Sequence, residues 1–284
     1  MARMGAVGEG GRGGYNRRLE DLRLTLILLL YAATLFVGAT LLFVVQPMVG
    51  KMILPLLGGT PAVWSTCMVF FQAALLGGYA YAHATTAWLG IRRQTILHLA
   101  LLAVPLAVLP LGVDASRLPG GEANPVLGVL VLLSLSVGLP FFVVSATAPL
   151  LQHWFTHTGH RAARDPYFLY AASNLGSMLA LLSYPALIEP RLRLRDAGWL
   201  AQTRLWTLGY LLLAVLIVLC AVVAVRRSAA RTAAALDADG MEPAPAPSVE
   251  AARWSEPAPT VRRRLYWVAL AFAPRACSWA SPPT

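Results

Sequence analysis

The chain has 284 residues, 57% of them hydrophobic and 13% charged, with a net charge of +10 and a mean hydropathy of +0.62. An average soluble domain carries roughly 25% charged residues, so a single soluble core is excluded and a multi-spanning membrane protein is expected. The basic residues sit at the ends of apolar runs and in the tails, with no aromatic-interleaved basic groove, so they read as an orientation signal and not as a nucleic-acid surface.

Residues 1–23 are polar and glycine-rich, with Arg3, Arg12, Arg17, Arg18 and Arg23, and read as a disordered cytoplasmic tail. Residues 8–13 satisfy GxGxxG, but no strand precedes them, so the dinucleotide context is missing. Six apolar runs follow, at roughly 24–46, 62–89, 95–112, 125–151, 167–188 and 206–225. Each but the third reaches the length of about 20 residues that crosses the hydrocarbon. The third holds Pro105 and Pro110 and is expected to be kinked. The first is too long for the apolar core of a signal peptide. The fold class read from this pattern is all-α, a polytopic transmembrane helix bundle with a membrane domain over 24–225. Cys67, Cys220 and Cys277 have no CxxC spacing and read as small packing residues.

Between the first two runs lie Gln46-Pro47, Lys51, Pro55, Gly58-Gly59 and Pro61. Prolines that lack a donor and glycines that permit positive φ predict a broken connection here, a re-entrant or interfacial turn. Lys51 in that turn either snorkels to the headgroups or gates a path. The second run carries Gln72, Gly77, Gly78, Tyr79, Tyr81 and His83; Ala73 with Gly77, and Ala74 with Gly78, give the small-xxx-small spacing of closely packed helices. In the fourth, Pro140 and Pro149 bracket Ser145 and Thr147, whose hydroxyls are expected to bond the carbonyls that the prolines free. His153, His157 and His160 follow, without the carboxylate or thiolate partners that complete a metal site. In the fifth, Ser173 with Ser177 and Ala172 with Gly176 make a packing face. Asn174 beside them is either interhelical glue or a substrate contact, and Glu189 reaches the headgroup layer with no special role. The candidate pathway or gate residues are therefore Gln46, Lys51, Gln72, His83 and Asn174, and the candidate helix-packing residues Gly77, Gly78, Ser173, Gly176 and Ser177.

With the N-terminus inside, sixteen lysines and arginines fall on inner segments and six on outer ones, which predicts a cytoplasmic N-terminus. Residues 226–264, rich in alanine and proline, read as a flexible linker. Residues 265–284 read as a truncated seventh span with an aberrant tail: the apolar run from Leu265 stops at Pro274, and the RACSWASPPT that closes the chain has the look of a shifted reading frame.

The segments FVVQPMVGKMILPLLGGTPAVWSTCMVFFQAALLGGYAYAH and DPYFLYAASNLGSMLALLSYPALIEP resemble the membrane half of the fused MFS-transporter/spermidine-synthase-like proteins of bacteria. The resemblance covers roughly residues 24–225 and the start of the seventh apolar run. It implies a multi-span region followed by a spermidine-synthase-type domain, whose Rossmann-like sheet would hold an aminopropyl donor or related nucleotide and whose acidic pocket would hold a polyamine. After residue 225 there is no glycine-rich strand–loop–helix and no acidic pocket, so no catalytic residue, cofactor or metal is carried over. The expectation is an integral inner-membrane domain of a polyamine-related fusion protein. Its expected partners are the lipid bilayer and either a second copy of itself or a separate synthase-like domain, with no nucleic acid. The alternatives are an MFS-like transporter half handling a small solute, which needs a second half because such sites lie between repeats, and an inactive frameshifted fragment.

Overall fold

The computed structural model describes residues 9–57, 60–113, 125–160, 162, 167–192 and 199–238. The chain divides into two units, residues 1–234 and 235–284. The expected linker beyond residue 238 and the seventh apolar run lie outside the described residues.

The described residues form helices and their connections, with no strand among them. In order these are α1 (Glu9–Leu57), α2 (Pro61–Trp88), α3 (Ile91–Ala103), α4 (Pro125–Leu133), α5 (Leu139–Thr156), α6 (Tyr167–Ser183), the short α7 (Glu189–Arg191) and α8 (Trp199–Ala238). A five-residue π turn, Ser134–Gly138, joins α4 to α5, and another, Tyr184–Ile188, joins α6 to α7. Five of the resulting helical stretches are long and apolar enough to cross a membrane.

Three local expectations need correction. The break expected at Pro47 does not occur: α1 runs on through Pro47 and Pro55 to Leu57. Each proline removes one helical hydrogen bond, whereas unwinding in hydrocarbon would strand several backbone groups, so continuing is the cheaper choice. The first helix ends instead at Leu57, and α2 opens at Pro61, where Thr60 caps it by accepting from the Val63 N–H at 3.4 Å and Pro61 fills the first helical position. The tail assigned to residues 1–23 is helical from Glu9. At the other end the linker assigned from residue 226 is helical to Ala238, over the segment RRSAARTAAALDA, whose alanines and arginines are strong helix formers.

Contacts between helices give their directions. Gly138 meets Phe70, Gly78 meets Ser145, and Thr86 and Trp154 share Gln94, so α2 and α4–α5 run parallel. Gly176 packs on Phe36, and Glu189 on Lys51, so α1 and α6 are parallel as well. Tyr31 meets Cys220 while Leu41 meets Trp206, so α8 runs antiparallel to α1. Parallel α2 and α4–α5 require the chain to return to the far end of the bundle between Leu89 and Pro125. The 13-residue α3 runs antiparallel to both, since Gln94 meets Thr86 and Trp154 while His98 meets Thr147, and it continues into a 3-10 turn, Val104–Ala107, at Pro105. The kink expected in the third run is this turn.

The core lies between α1, α5 and α8, around Tyr31, Leu35, Phe141, Trp154, Phe155 and Tyr210, all buried. Its polar tips are satisfied across helices. The Tyr31 hydroxyl donates to the Cys220 carbonyl at 3.0 Å, the Trp206 indole to the Leu41 carbonyl at 3.0 Å and the Tyr210 hydroxyl to the Leu102 carbonyl at 2.8 Å. Cys67 and Cys220 are buried free thiols, consistent with packing roles.

Candidate functional site

One end of the bundle carries most of the described arginines. Gly90, Arg92 and Arg93 at the start of α3 line a cavity with Ser228 and Thr232 of α8. Gly159 (φ +71°) lies against Arg231. Burial holds the His160 imidazole below its ordinary range; the Arg227 charge adds to that, and a hydrogen bond with the Leu24 backbone opposes it. At the opposite end the Lys51 ammonium pairs with the Glu189 carboxylate and sits 5.7 Å from the centre of the Tyr184 ring. The Tyr184 hydroxyl donates to the Gln202 side-chain oxygen at 3.3 Å, and the Gln202 amide donates to the Leu192 carbonyl. Lys51, Glu189, Tyr184 and Gln202 thus tie α1, the end of α6 and the start of α8 into one polar cluster. Glu189, expected to have no special role, pairs with Lys51 directly after the π turn Tyr184–Ile188.

The pathway candidates separate into two groups. Gln46 is half-buried and donates to the Leu42 carbonyl of its own helix at 3.1 Å, which makes it a brace beside Pro47. Gln72 and His83 on α2 and Asn174 on α6 are exposed on the outside of the bundle. Asn174 is therefore not glue within this chain. The packing candidates divide similarly. A Cβ on Gly176 would stand 2.5 Å from the Phe36 carbonyl oxygen, and Thr40 donates to the Gly176 carbonyl at 3.3 Å, so α1 and α6 touch backbone to backbone. A Cβ on Gly78 would overlap the Ser145 hydroxyl. Gly77 has ordinary clearance to Phe142, at 3.6 Å. Ser173 and Ser177 are half-buried, and Ser177 donates to the Asn174 carbonyl at 2.9 Å.

The sequence reading missed a polar seam between α2, α3 and α5. Gln94, buried on α3, donates to Thr86 at 2.8 Å and Thr85 at 3.2 Å, and accepts from the Trp154 indole at 3.0 Å. One turn further, His98 is fully buried, with Nε2 3.5 Å from the Thr147 hydroxyl. The Thr147 hydrogen goes to the Val143 carbonyl at 3.0 Å, so Nε2 is the N–H donor and Nδ1 keeps its lone pair. That Nδ1 and the Tyr81 hydroxyl are buried with no hydrogen-bond partner among the described residues. The signal was present in the i, i+4 spacing of Gln94 and His98, which sets both on the buried side of a short helix. Ser145 and Thr147 do not bond the carbonyls that Pro140 and Pro149 free, those of Ser136 and Ser145. Ser145 donates to Phe142 at 2.7 Å, and Thr147 serves Val143 and His98. His153 and His157 stack edge to face at 4.7 Å, and the described residues hold no group of three metal-ligating side chains.

Together these features define an all-α, membrane-embedded helix bundle with a charged cluster at one end and polar side chains on two outer faces. No protein-family model, curated protein or solved structure matches the chain.

Proposed function

We propose that this chain is one body of a two-body, solute-handling membrane protein, and that its second body is another copy of the same chain. The observation that carries this reading is an inversion between polarity and exposure. The windows of α2 and α6 are the least apolar of the five spans, yet only 22% and 17% of their residues are buried, against 33% to 44% in the other three. A helix facing lipid should be the most apolar, because hydrocarbon offers no partner to an amide or imidazole. Gln72, His83 and Asn174 are exposed on those two helices. Faces of that composition suit contact with a second protein surface or a water-filled path between two bodies.

The resemblance to the membrane half of MFS-transporter/spermidine-synthase-like proteins supplies the solute class: a polyamine or a related small amine. Gln72, His83 and Asn174 would line its path. The arginine-rich end, with Arg92, Arg93, Arg227 and Arg231, faces the cytoplasm of an inner membrane on the positive-inside rule. The test is uptake of labelled spermidine into vesicles holding the purified protein. Accumulation above empty vesicles, lost in Asn174→Leu and Gln72→Leu proteins that remain folded, is the expected result. Wild-type vesicles that take up no more than empty ones would contradict it.

A further inference from the structure

An apolar groove of about 220 Å³ runs along α1 between the end of the Tyr184–Ile188 turn and α8. Phe36, Val44, Met48, Ile188, Trp206 and Gly209 line it. At Gly209 the Leu41 side chain packs closely on the α8 backbone, where a Cβ would come within 2.6 Å of it. It opens on the outer surface, beside Leu205, which is 51% exposed. From Phe36 to Met48 the groove follows twelve residues of helix, about 18 Å at 1.5 Å per residue. Half of a hydrocarbon core is about 15 Å. The groove therefore has the length of one leaflet.

Its end is charged. Lys51 lies less than one helical turn beyond Met48, Glu189 follows Ile188 directly, and Gln202 both lines the groove and bonds Tyr184 beneath Lys51. Both charged side chains keep more than a third of their surface open, 38% for Lys51 and 37% for Glu189. One cation and one anion, side by side at the end of the groove, complement a zwitterion laid head to tail against them.

We propose that this groove and ion pair form a binding site for a zwitterionic phospholipid with a primary-ammonium headgroup. One acyl chain fills the groove, the phosphate accepts hydrogen bonds from Lys51, and the ammonium donates to Glu189. A trimethylated ammonium cannot donate, and a headgroup without a cation leaves Glu189 unmatched, so both bind less well. The site does not depend on what the bundle carries.

The test is competition in lipid nanodiscs of equal ethanolamine-, choline- and glycerol-headgroup phospholipid, with the lipid retained on the released protein weighed by native mass spectrometry. The wild type should retain ethanolamine lipid over each competitor by roughly threefold or more, the scale of one exposed charge pair. Lys51→Met and Glu189→Gln should each abolish that preference. Val44→Trp, which plugs the groove and leaves both charges, should lower total retention. Equal retention of the three lipids by the wild type, or a preference that survives neutralisation of both charges, would overturn the proposal. The wild-type competition decides the matter even if a variant does not fold.

Discussion

Lys51 near the end of α1 and Glu189 at the start of α7 form an ion pair across 138 positions of sequence. They close the parallel α1–α6 pair that Gly176 and Phe36 open about four turns earlier. Because both side chains are more than a third exposed, the pair is worth little by itself, about 0–1 kcal/mol. Lys51→Met and Glu189→Gln should each lower thermal stability slightly. A double-mutant cycle should give a coupling of about 0.5 kcal/mol. Strictly additive losses would mean that the two groups do not interact.

The close contacts of α6 with α1 and of α2 with α5 make a sharper prediction. Gly176→Ala sets a methyl against the Phe36 backbone, which cannot rotate away, and should cost about 1–3 kcal/mol. Gly77→Ala, one residue from the other crossing, meets only the Phe142 ring at 3.6 Å and should be nearly silent. Thermal unfolding in detergent ranks the two; equal effects would contradict the packing described.

Gln94 is the hub of the buried seam. Gln94→Leu leaves the Trp154 indole N–H without its acceptor and should destabilise by about 1–3 kcal/mol, the cost of a stranded buried donor. Restoring the double variant Gln94→Leu/Trp154→Phe toward wild-type stability would identify the lost hydrogen bond as the cause. Continued instability of the double variant would assign the loss to packing.

The clustering of arginines at one end predicts that a reporter fused after residue 240 is cytoplasmic, on the same side as the N-terminus. An external signal from that fusion would reverse the orientation.

His160 gives a pH dependence. Its folded-state pKa is lowered, by burial first, so the unfolded chain binds the proton more readily. The stability it contributes is present above the ordinary imidazole pKa of about 6.5 and is lost as pH falls below that value. His160→Gln should therefore show a smaller loss of melting temperature between neutral and mildly acidic pH than the wild type. An unchanged pH slope would remove His160 as the cause.

The all-helical, membrane-embedded character was legible because length and hydropathy of the runs report directly on hydrocarbon thickness, and Gly78 and Gly176 announced close contacts through small-residue spacing. What was not legible depended on competition between costs. Pro47 and Pro55 carry a helix-breaking propensity that the apolar surroundings override. Nothing in the local sequence links Glu189 to Lys51, 138 positions away. Gln94 and His98 were overlooked inside a run read only for its length and prolines. The exposure of Asn174 is a property of the assembled bundle, invisible in a periodicity that marks small and polar residues alike.

The proposed dimer brings the outer faces of α2 and α6 against a second copy of the chain. Single cysteines at Gln72 or Asn174, in a background with Cys67, Cys220 and Cys277 replaced, should form oxidative dimers in native membranes, singly or as a mixture of the two proteins. A cysteine at Val215, which is 58% exposed on the strongly apolar α8, should remain monomeric. Monomers at all three positions, or dimers formed as readily through Val215, would contradict the account.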